Sequence, residues 1–136
     1  DLNLLKSLPH LKELRLSGYP NETLDLRNLG SLQSLVVSYS PKVVSLQAPG
    51  QLLKLTVNRM DQLDLKDSNP LPFLQSLRIG FGENLTSLEG LGPCPELKDF
   101  FVSWCPELDN LNGLEKNHSL KTLRIYKCGD RINVSR

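Results

Sequence analysis

A short leucine motif, L-x-x-L-x-L or a close variant, occurs six times along the 136 residues and begins at Leu11, Leu32, Leu52, Leu74, Leu97 and Leu120. Successive copies are 20 to 23 residues apart, measured between their second apolar positions Leu14, Leu35, Leu55, Leu77, Phe100 and Leu123. The chain contains 30 leucines but one alanine and one methionine, a skew typical of a repeated leucine-bearing unit. A period of this length predicts a solenoid in which each unit packs on its neighbours.

Each copy has the pattern of a short strand with one buried face. The second and third apolar positions, such as Leu77 and Ile79, alternate with other residues at a period of two, as expected for a half-buried strand. We therefore predict strands near 12–17, 33–38, 53–58, 75–80, 98–103 and 121–126. Stacked units would pair these strands as a parallel sheet about 4.8 Å apart, the concave sheet of a leucine-rich repeat.

The segments that return from one strand to the next are rich in glycine and proline. Leu108, Leu111 and Leu114 are spaced by three residues and interleave with Pro106 and Gly113, a composition that disfavours helices. The predicted fold class is an α/β-type solenoid, a leucine-rich-repeat arc with a short-stranded parallel concave sheet and an irregular, largely non-helical convex side. We expect residues 1–136 to form a single domain fragment of about six repeats. Because the chain starts inside the leucine pattern, we also expect neighbouring repeats.

Residues that commonly perform catalysis or bind metals lie in no recognisable arrangement. The two histidines and three cysteines lack ligand spacing such as C-x₂-C, and the sequence contains no nucleophile elbow or phosphate loop. We predict that the protein is not an enzyme and binds no metal and no cofactor. Cys105 and Cys128 share one inward slot of adjacent units, which predicts structural thiols. No stretch approaches the roughly 20 apolar residues of a membrane span.

The outward positions of the predicted strands carry an unusual composition. The repeat register assigns five such positions to each unit, and together they hold nine basic and two acidic residues, a charge of +7 in a chain whose net charge is +1. They also hold five of the eight aromatic residues. Trp, Tyr and Arg dominate interface hot spots because they bury a large area and keep a polar handle. We predict a partner-binding surface formed by Arg78, Phe81, Phe101, Trp104, Arg124, Tyr126, Tyr39, Arg59, Lys98 and Lys127.

Two other interpretations of this face remain open. In the first, the basic residues are simply solvated, and the aromatic residues pack on one another or on another domain of the same protein. In the second, the face binds nucleic acid, since basic and aromatic residues together suit phosphates and stacked bases. Lysine and arginine form no dense run here. We therefore favour a protein partner with an acidic or mixed surface, or a neighbouring domain of the same protein.

The last two repeats carry a family resemblance. The segments LKDFFVSWCPELDNL from Leu97 and LKTLRIYKC from Leu120, together with LKSLPHL from Leu5, resemble the C-terminal repeats of plant nucleotide-binding leucine-rich-repeat disease-resistance proteins, whose pattern is LxxLxIxxCPxLxxLP. The resemblance implies intracellular recognition of pathogen effectors on the strand face. It also implies an autoregulatory contact with the receptor's own nucleotide-binding domain, and a cytoplasmic location.

Four N-glycosylation sequons favour a different compartment. They begin at Asn21, Asn84, Asn117 and Asn133, all outside the outward strand positions. Because Asn and Ser are also common turn residues, the sequons are compatible with either location. The alternative function is therefore an extracellular, glycosylated leucine-rich-repeat receptor fragment.

Overall fold

The computed structural model describes residues 2–60, 71–88, 94–129 and 132 of the chain. Within these residues the chain forms one 3-10 helix, Leu2–Ser7, and eight strands. The strands are β1 (Glu13–Ser17), β2 (Thr23–Asp25), β3 (Ser34–Ser38), β4 (Ser45–Gln47), β5 (Lys54–Asn58), β6 (Ser76–Gly80), β7 (Asp99–Ser103) and β8 (Thr122–Tyr126).

Six of the strands form one parallel sheet in the order β1-β3-β5-β6-β7-β8. Each therefore lies beside the next main-sheet strand along the chain, and a return segment separates the two. This arrangement confirms the predicted parallel-sheet solenoid. Each strand of this sheet ends at the predicted residue and begins one residue later. Before the first five of these strands, the carbonyl of the preceding residue accepts two N–H groups from the neighbouring unit. The carbonyl of Lys12, for example, accepts from Gln33 at 2.8 Å and from Ser34 at 3.0 Å.

The strand register aligns the leucines of the motif into columns. Leu35 pairs with Leu55, and Leu55 with Leu77, while Leu77 pairs with Phe100. All four side chains are buried, and Phe100 is among the largest fully buried side chains of the described residues. Burying one such side chain stabilises the fold by about 1.5–3 kcal/mol, so this column holds adjacent units together.

A turn of constant geometry precedes each strand of the main sheet. The first leucine of each motif donates its N–H to a carbonyl three residues earlier, as in Leu32 to Leu29 at 3.1 Å and Leu97 to Cys94 at 3.0 Å. The same bond recurs in all six units. This turn directs the leucine inward and starts the strand.

The return segments contain a second, two-stranded parallel sheet made of β2 and β4. Leu24 and Leu46 pair across it and are buried against the core. The described residues contain the single 3-10 helix and no α-helix, as the glycine and proline content predicts for a largely non-helical return side.

The two outer strands of the main sheet are less buried than the inner ones. Leu14 of β1 is half-buried, and Leu123 of β8 is 40% exposed although its equivalents in the inner strands are 0–1% exposed. The leucine column is therefore fully covered only where a strand has a neighbour on both sides.

Candidate interaction surface

The residues that directly follow the six strands of the main sheet form one row across that sheet. We name it the rim row, and it consists of Gly18, Tyr39, Arg59, Phe81, Trp104 and Lys127. All six residues have a positive φ, between 51° and 70°. Left-handed backbone costs a residue other than glycine roughly 1–2 kcal/mol, so five such residues in one row require a structural cause.

The cause lies in the hydrogen bonds between neighbouring units. The N–H of Tyr39 donates to the carbonyl of Asn58 at 3.0 Å, and that of Trp104 donates to the carbonyl of Tyr126 at 2.9 Å; Gly18, Arg59 and Phe81 make the equivalent bond. The positive φ also turns the next residue into the core, where Ser40, Met60, Gly82 and Cys105 are buried. The neighbouring unit thus fixes the backbone of the five donor residues. Among the described residues, the N–H of Lys127, which follows the outer strand β8, makes no such bond.

The guanidinium of Arg59 lies between two aromatic rings of the rim row. Its carbon is 5.1 Å from the ring centroid of Tyr39 and 4.7 Å from that of Phe81. Both distances suit a cation–π interaction, worth about 0.5–1 kcal/mol at an exposed site. These contacts connect three consecutive units through side chains alone.

The aromatic contacts continue beyond Phe81. Its ring stacks on Trp104 with a centroid distance of 6.0 Å and an interplanar angle of 3°. Trp104 in turn meets Tyr126 edge-on at 5.7 Å, and the Lys127 ammonium lies 5.7 Å from the Tyr126 ring centroid. Trp104 remains 45% exposed, so the row offers rings to solvent while holding them in fixed orientations.

A second, smaller cluster lies in the middle of strands β7 and β8. The Arg124 guanidinium is 4.8 Å from the ring centroid of Phe101. It also forms an ion pair with Asp99 at 3.5 Å. The charge of Arg124 is therefore partly neutralised within the chain.

Seven of the ten predicted surface residues belong to these two clusters, and Tyr126 contacts the rim row through Trp104 and Lys127. The other two, Arg78 and Lys98, lie apart from both. Arg78 is exposed and pairs in register with Phe101. Lys98 is exposed at the opposite end of β7 from the rim row. Among the described residues, neither side chain makes a ring contact or an ion pair with the other predicted residues.

A depression of about 330 Å³ opens beside Arg59. Its lining consists of Tyr39, Pro41, Arg59, Phe81 and Glu83. Two aromatic walls, one cation and one carboxylate thus surround a volume at the lower end of the range typical of ligand sites.

Sequence reasoning missed two acidic residues of this surface as functional groups. Asp99 pairs in register with Thr122, two residues before Arg124. Asp99 and Arg124 both occupy outward positions of adjacent strands, so the repeat register already indicated that the two opposite charges lie near each other. Glu83 lies outside the outward strand positions, and its place in the depression depends on the turn after β6.

In the last two units, the residue that follows the rim-row residue is a cysteine, Cys105 or Cys128. Cys105 is fully buried, and its Sγ donates to the carbonyl of Ser103 at 3.4 Å; Ser40 Oγ makes the same bond to the Ser38 carbonyl at 2.9 Å. Burial raises the pKa of the Cys105 thiol to about 11. Cys105 and Cys128 are free thiols, and Cys128 is half-buried.

The sequons differ in accessibility. Asn21 and Asn84 are exposed, whereas Asn117 is 5% exposed and its Oδ1 accepts the N–H of Cys94 at 3.0 Å. Asn133 lies outside the described residues. In the folded chain the side chains of Asn21 and Asn84 are therefore accessible, whereas that of Asn117 has no room for a glycan.

The described residues contain no group of three or more His, Cys, Asp or Glu side chains placed to hold a metal ion. Over the same ranges, no helix has the length and apolar character needed to cross a membrane. Comparison of the chain with protein-family models, curated proteins and solved structures gives no match.

Proposed function

We propose that the chain is a non-catalytic protein-recognition module of the leucine-rich-repeat type. The observation that carries this proposal is the rim row, a line of exposed aromatic and cationic side chains whose backbone makes inter-unit hydrogen bonds at five of its six positions. The leucine-rich-repeat assignment is supported by the one-to-one correspondence between motif copies and main-sheet strands.

The physical chemistry of the rim row favours a protein partner. Binding normally costs about 0.5–1.5 kcal/mol for each flexible side chain that becomes immobilised. Arg59, Phe81 and Trp104 are already held by ring contacts at 4.7 and 6.0 Å, so part of that cost is met in the free protein. The predicted charge of +7 on this face favours an acidic or mixed surface on the partner.

The proposed biological setting is plant defence, and it rests on the resemblance to nucleotide-binding leucine-rich-repeat disease-resistance proteins. In that setting the module recognises a pathogen effector in the cytoplasm, and the same repeats contact the neighbouring domains of the receptor. The absence of catalysis is part of this proposal. For Cys105 alone it is supported by the raised pKa of the buried thiol, which disfavours the nucleophilic thiolate.

The second candidate is an extracellular, glycosylated receptor fragment. It is favoured by the exposure of the sequon residues Asn21 and Asn84. The burial of Asn117 limits the number of sites available for glycans. Mass analysis of these peptides from native protein separates the candidates, because a glycan on Asn21 or Asn84 requires the secretory pathway.

The recognition proposal is tested by affinity capture from plant extract, with and without pathogen proteins. The test variant combines Trp104→Ala, Arg78→Glu and Arg124→Glu. The matched control combines Phe73→Ala, Lys42→Glu and Lys116→Glu, which removes one exposed aromatic ring and reverses two charges away from the sheet face. Circular dichroism verifies that both variants fold.

We expect a specific partner to be retained by the wild type and the control variant and lost by the test variant. Capture should also weaken with salt, because the Debye length falls from about 10 Å at 0.1 M to about 3 Å at 1 M. Equal capture by all three proteins would overturn the proposal. The sheet face would then serve at most as a scaffold for contacts within the receptor.

A further inference from the structure

Two arginines on the sheet face stack on aromatic rings, but they differ in whether the guanidinium forms an ion pair. Arg124 lies over Phe101 and forms an ion pair with Asp99 at 3.5 Å. Arg59 lies between Tyr39 and Phe81, and among the described residues its guanidinium takes part in no ion pair or side-chain hydrogen bond. Of these two arginines, only Arg124 has a described carboxylate within ion-pair distance.

The position of Arg59 suits recognition of an external anion. Its side chain is exposed and lines the depression of about 330 Å³. Its N–H donates to the carbonyl of Gly80 at 2.9 Å, and its φ is 58°. The two flanking rings thus hold the guanidinium in place, and none of its N–H groups donates to another residue in the described part of the chain.

A guanidinium held in this way matches a carboxylate. Its planar fork donates two parallel hydrogen bonds to the two carboxylate oxygens, and such bonds are stronger than those between neutral groups. Glu83 lines the same depression, and its negative charge disfavours a dianionic phosphate more than a carboxylate, which carries a single charge.

We infer that Arg59, held between Tyr39 and Phe81, is the specificity-determining residue for an Asp or Glu side chain of the protein partner. This inference rests on the proposed function of protein recognition and names the chemistry that the surface selects. Arg124, already paired with Asp99, contributes less to that selection.

The test is a nuclear magnetic resonance titration of the ¹⁵N-labelled protein with acetyl-Gly-Glu-Asp-Glu-Gly-amide. The neutral control peptide carries Gln and Asn in place of Glu and Asp, and a third peptide carries phosphoserine at the central position. The protein variants are Arg59→Gln, Arg59→Lys and Arg124→Gln, which removes the paired arginine of the same face. The control variant is Arg27→Gln, which removes an arginine paired with Asp25 outside the predicted binding surface. Thermal unfolding followed by circular dichroism verifies that each variant folds.

We expect the acidic peptide to shift the Arg59 Nε–H resonance in a saturable manner. Its Kd should rise about tenfold in Arg59→Gln, which corresponds to 1.4 kcal/mol. It should rise about threefold in Arg59→Lys, which keeps the charge but loses the planar fork, and less than about twofold in Arg124→Gln, whose charge is already paired. The neutral peptide should cause no saturable shift.

Three results would overturn the inference: equal affinity for the neutral peptide, tighter binding of the phosphoserine peptide, or equal losses in Arg59→Gln and Arg124→Gln. If one of these occurs while the wild-type protein still captures a partner through its sheet face, the proposed function stands. If the peptide binds at Arg59 but no protein is captured under any condition, the proposed function fails instead.

Discussion

The stacked contact between Phe81 and Trp104 can be measured by a double-mutant cycle in which each residue is replaced by alanine, alone and together. The rings lie 6.0 Å apart and are nearly parallel, a geometry worth about 0.5–1.5 kcal/mol beyond area burial. Trp104 also contacts Tyr126, so Trp104→Ala should lower the free energy of unfolding by about 1–3 kcal/mol. Phe81→Ala should lower it by about 1–2.5 kcal/mol, because it also removes the contact with Arg59.

The choice of alanine is essential to the cycle. Phe81 and Trp104 have φ values of 56° and 55°, so glycine would relieve backbone strain and add a favourable term of its own. Alanine keeps that strain, and the strain then cancels in the coupling energy. We therefore expect a coupling energy of about 0.5–1.5 kcal/mol between the two rings.

The assay is urea unfolding at 25 °C followed by far-ultraviolet circular dichroism. Equal m-values across the variants are required for the comparison. The control cycle pairs Tyr39 with Trp104, which lie three strands apart in the sheet, roughly 14 Å, and should be additive within about 0.5 kcal/mol. A Phe81–Trp104 coupling no larger than that of the control pair would refute the view that ring contacts preorganise the rim row.

Three further predictions concern the frame that carries this surface. Leu77→Ala should lower the free energy of unfolding by about 2–5 kcal/mol, whereas Leu123→Ala in the same column, 40% exposed, should cost clearly less; equal losses in chemical denaturation would contradict the observed exposure. The folded-state pKa of Cys105, raised from 9.0 to about 11, predicts that the thiol's contribution to stability is complete below pH 9 and declines as pH rises towards 11. Unfolding measurements from pH 8 to 10 should therefore show the wild type losing stability relative to Cys105→Ala, and a constant difference would contradict this. Lys127→Gly should be more stable than Lys127→Ala by about 1 kcal/mol, because only glycine relieves the positive φ; equal melting temperatures would show that this backbone is not strained.

The leucine columns could be predicted from sequence because the motif contains its own period. Alternation at positions such as Leu77 and Ile79 identifies the buried side of a strand, and the repeat spacing identifies its neighbour. Each of the six strands was predicted to begin one residue before it does, since the hydrogen bonding at a strand start depends on the adjacent unit.

The second sheet could also have been predicted, because its signal is present in the sequence. Leu24 and Leu26 alternate with polar residues, and Leu46 and Ala48 do the same one unit later. All four side chains are buried. This alternation covers only three residues in each strand, Thr23–Asp25 and Ser45–Gln47, so its signal is weaker than that of the main-sheet motif.

The contacts of the surface could not be read from the sequence. The outward register placed Arg59 and Arg124 on the same face, but it does not specify that one lies between two rings and the other pairs with Asp99. The positive φ of the rim row was equally hidden. A bulky residue such as Trp104 ordinarily argues against left-handed backbone, and the inter-unit hydrogen bonds that impose it are tertiary.

The uniform backbone of the rim row has an evolutionary consequence. Glycine, tyrosine, arginine, phenylalanine, tryptophan and lysine adopt one conformation at the six equivalent positions, with φ from 51° to 70°. The six positions thus compare different residues on the same backbone, because the side chain changes from unit to unit while φ stays nearly constant. Mutations in this row can exchange aromatic for charged side chains without moving the scaffold, so new binding preferences can arise by point mutation while the leucine interior stays the same.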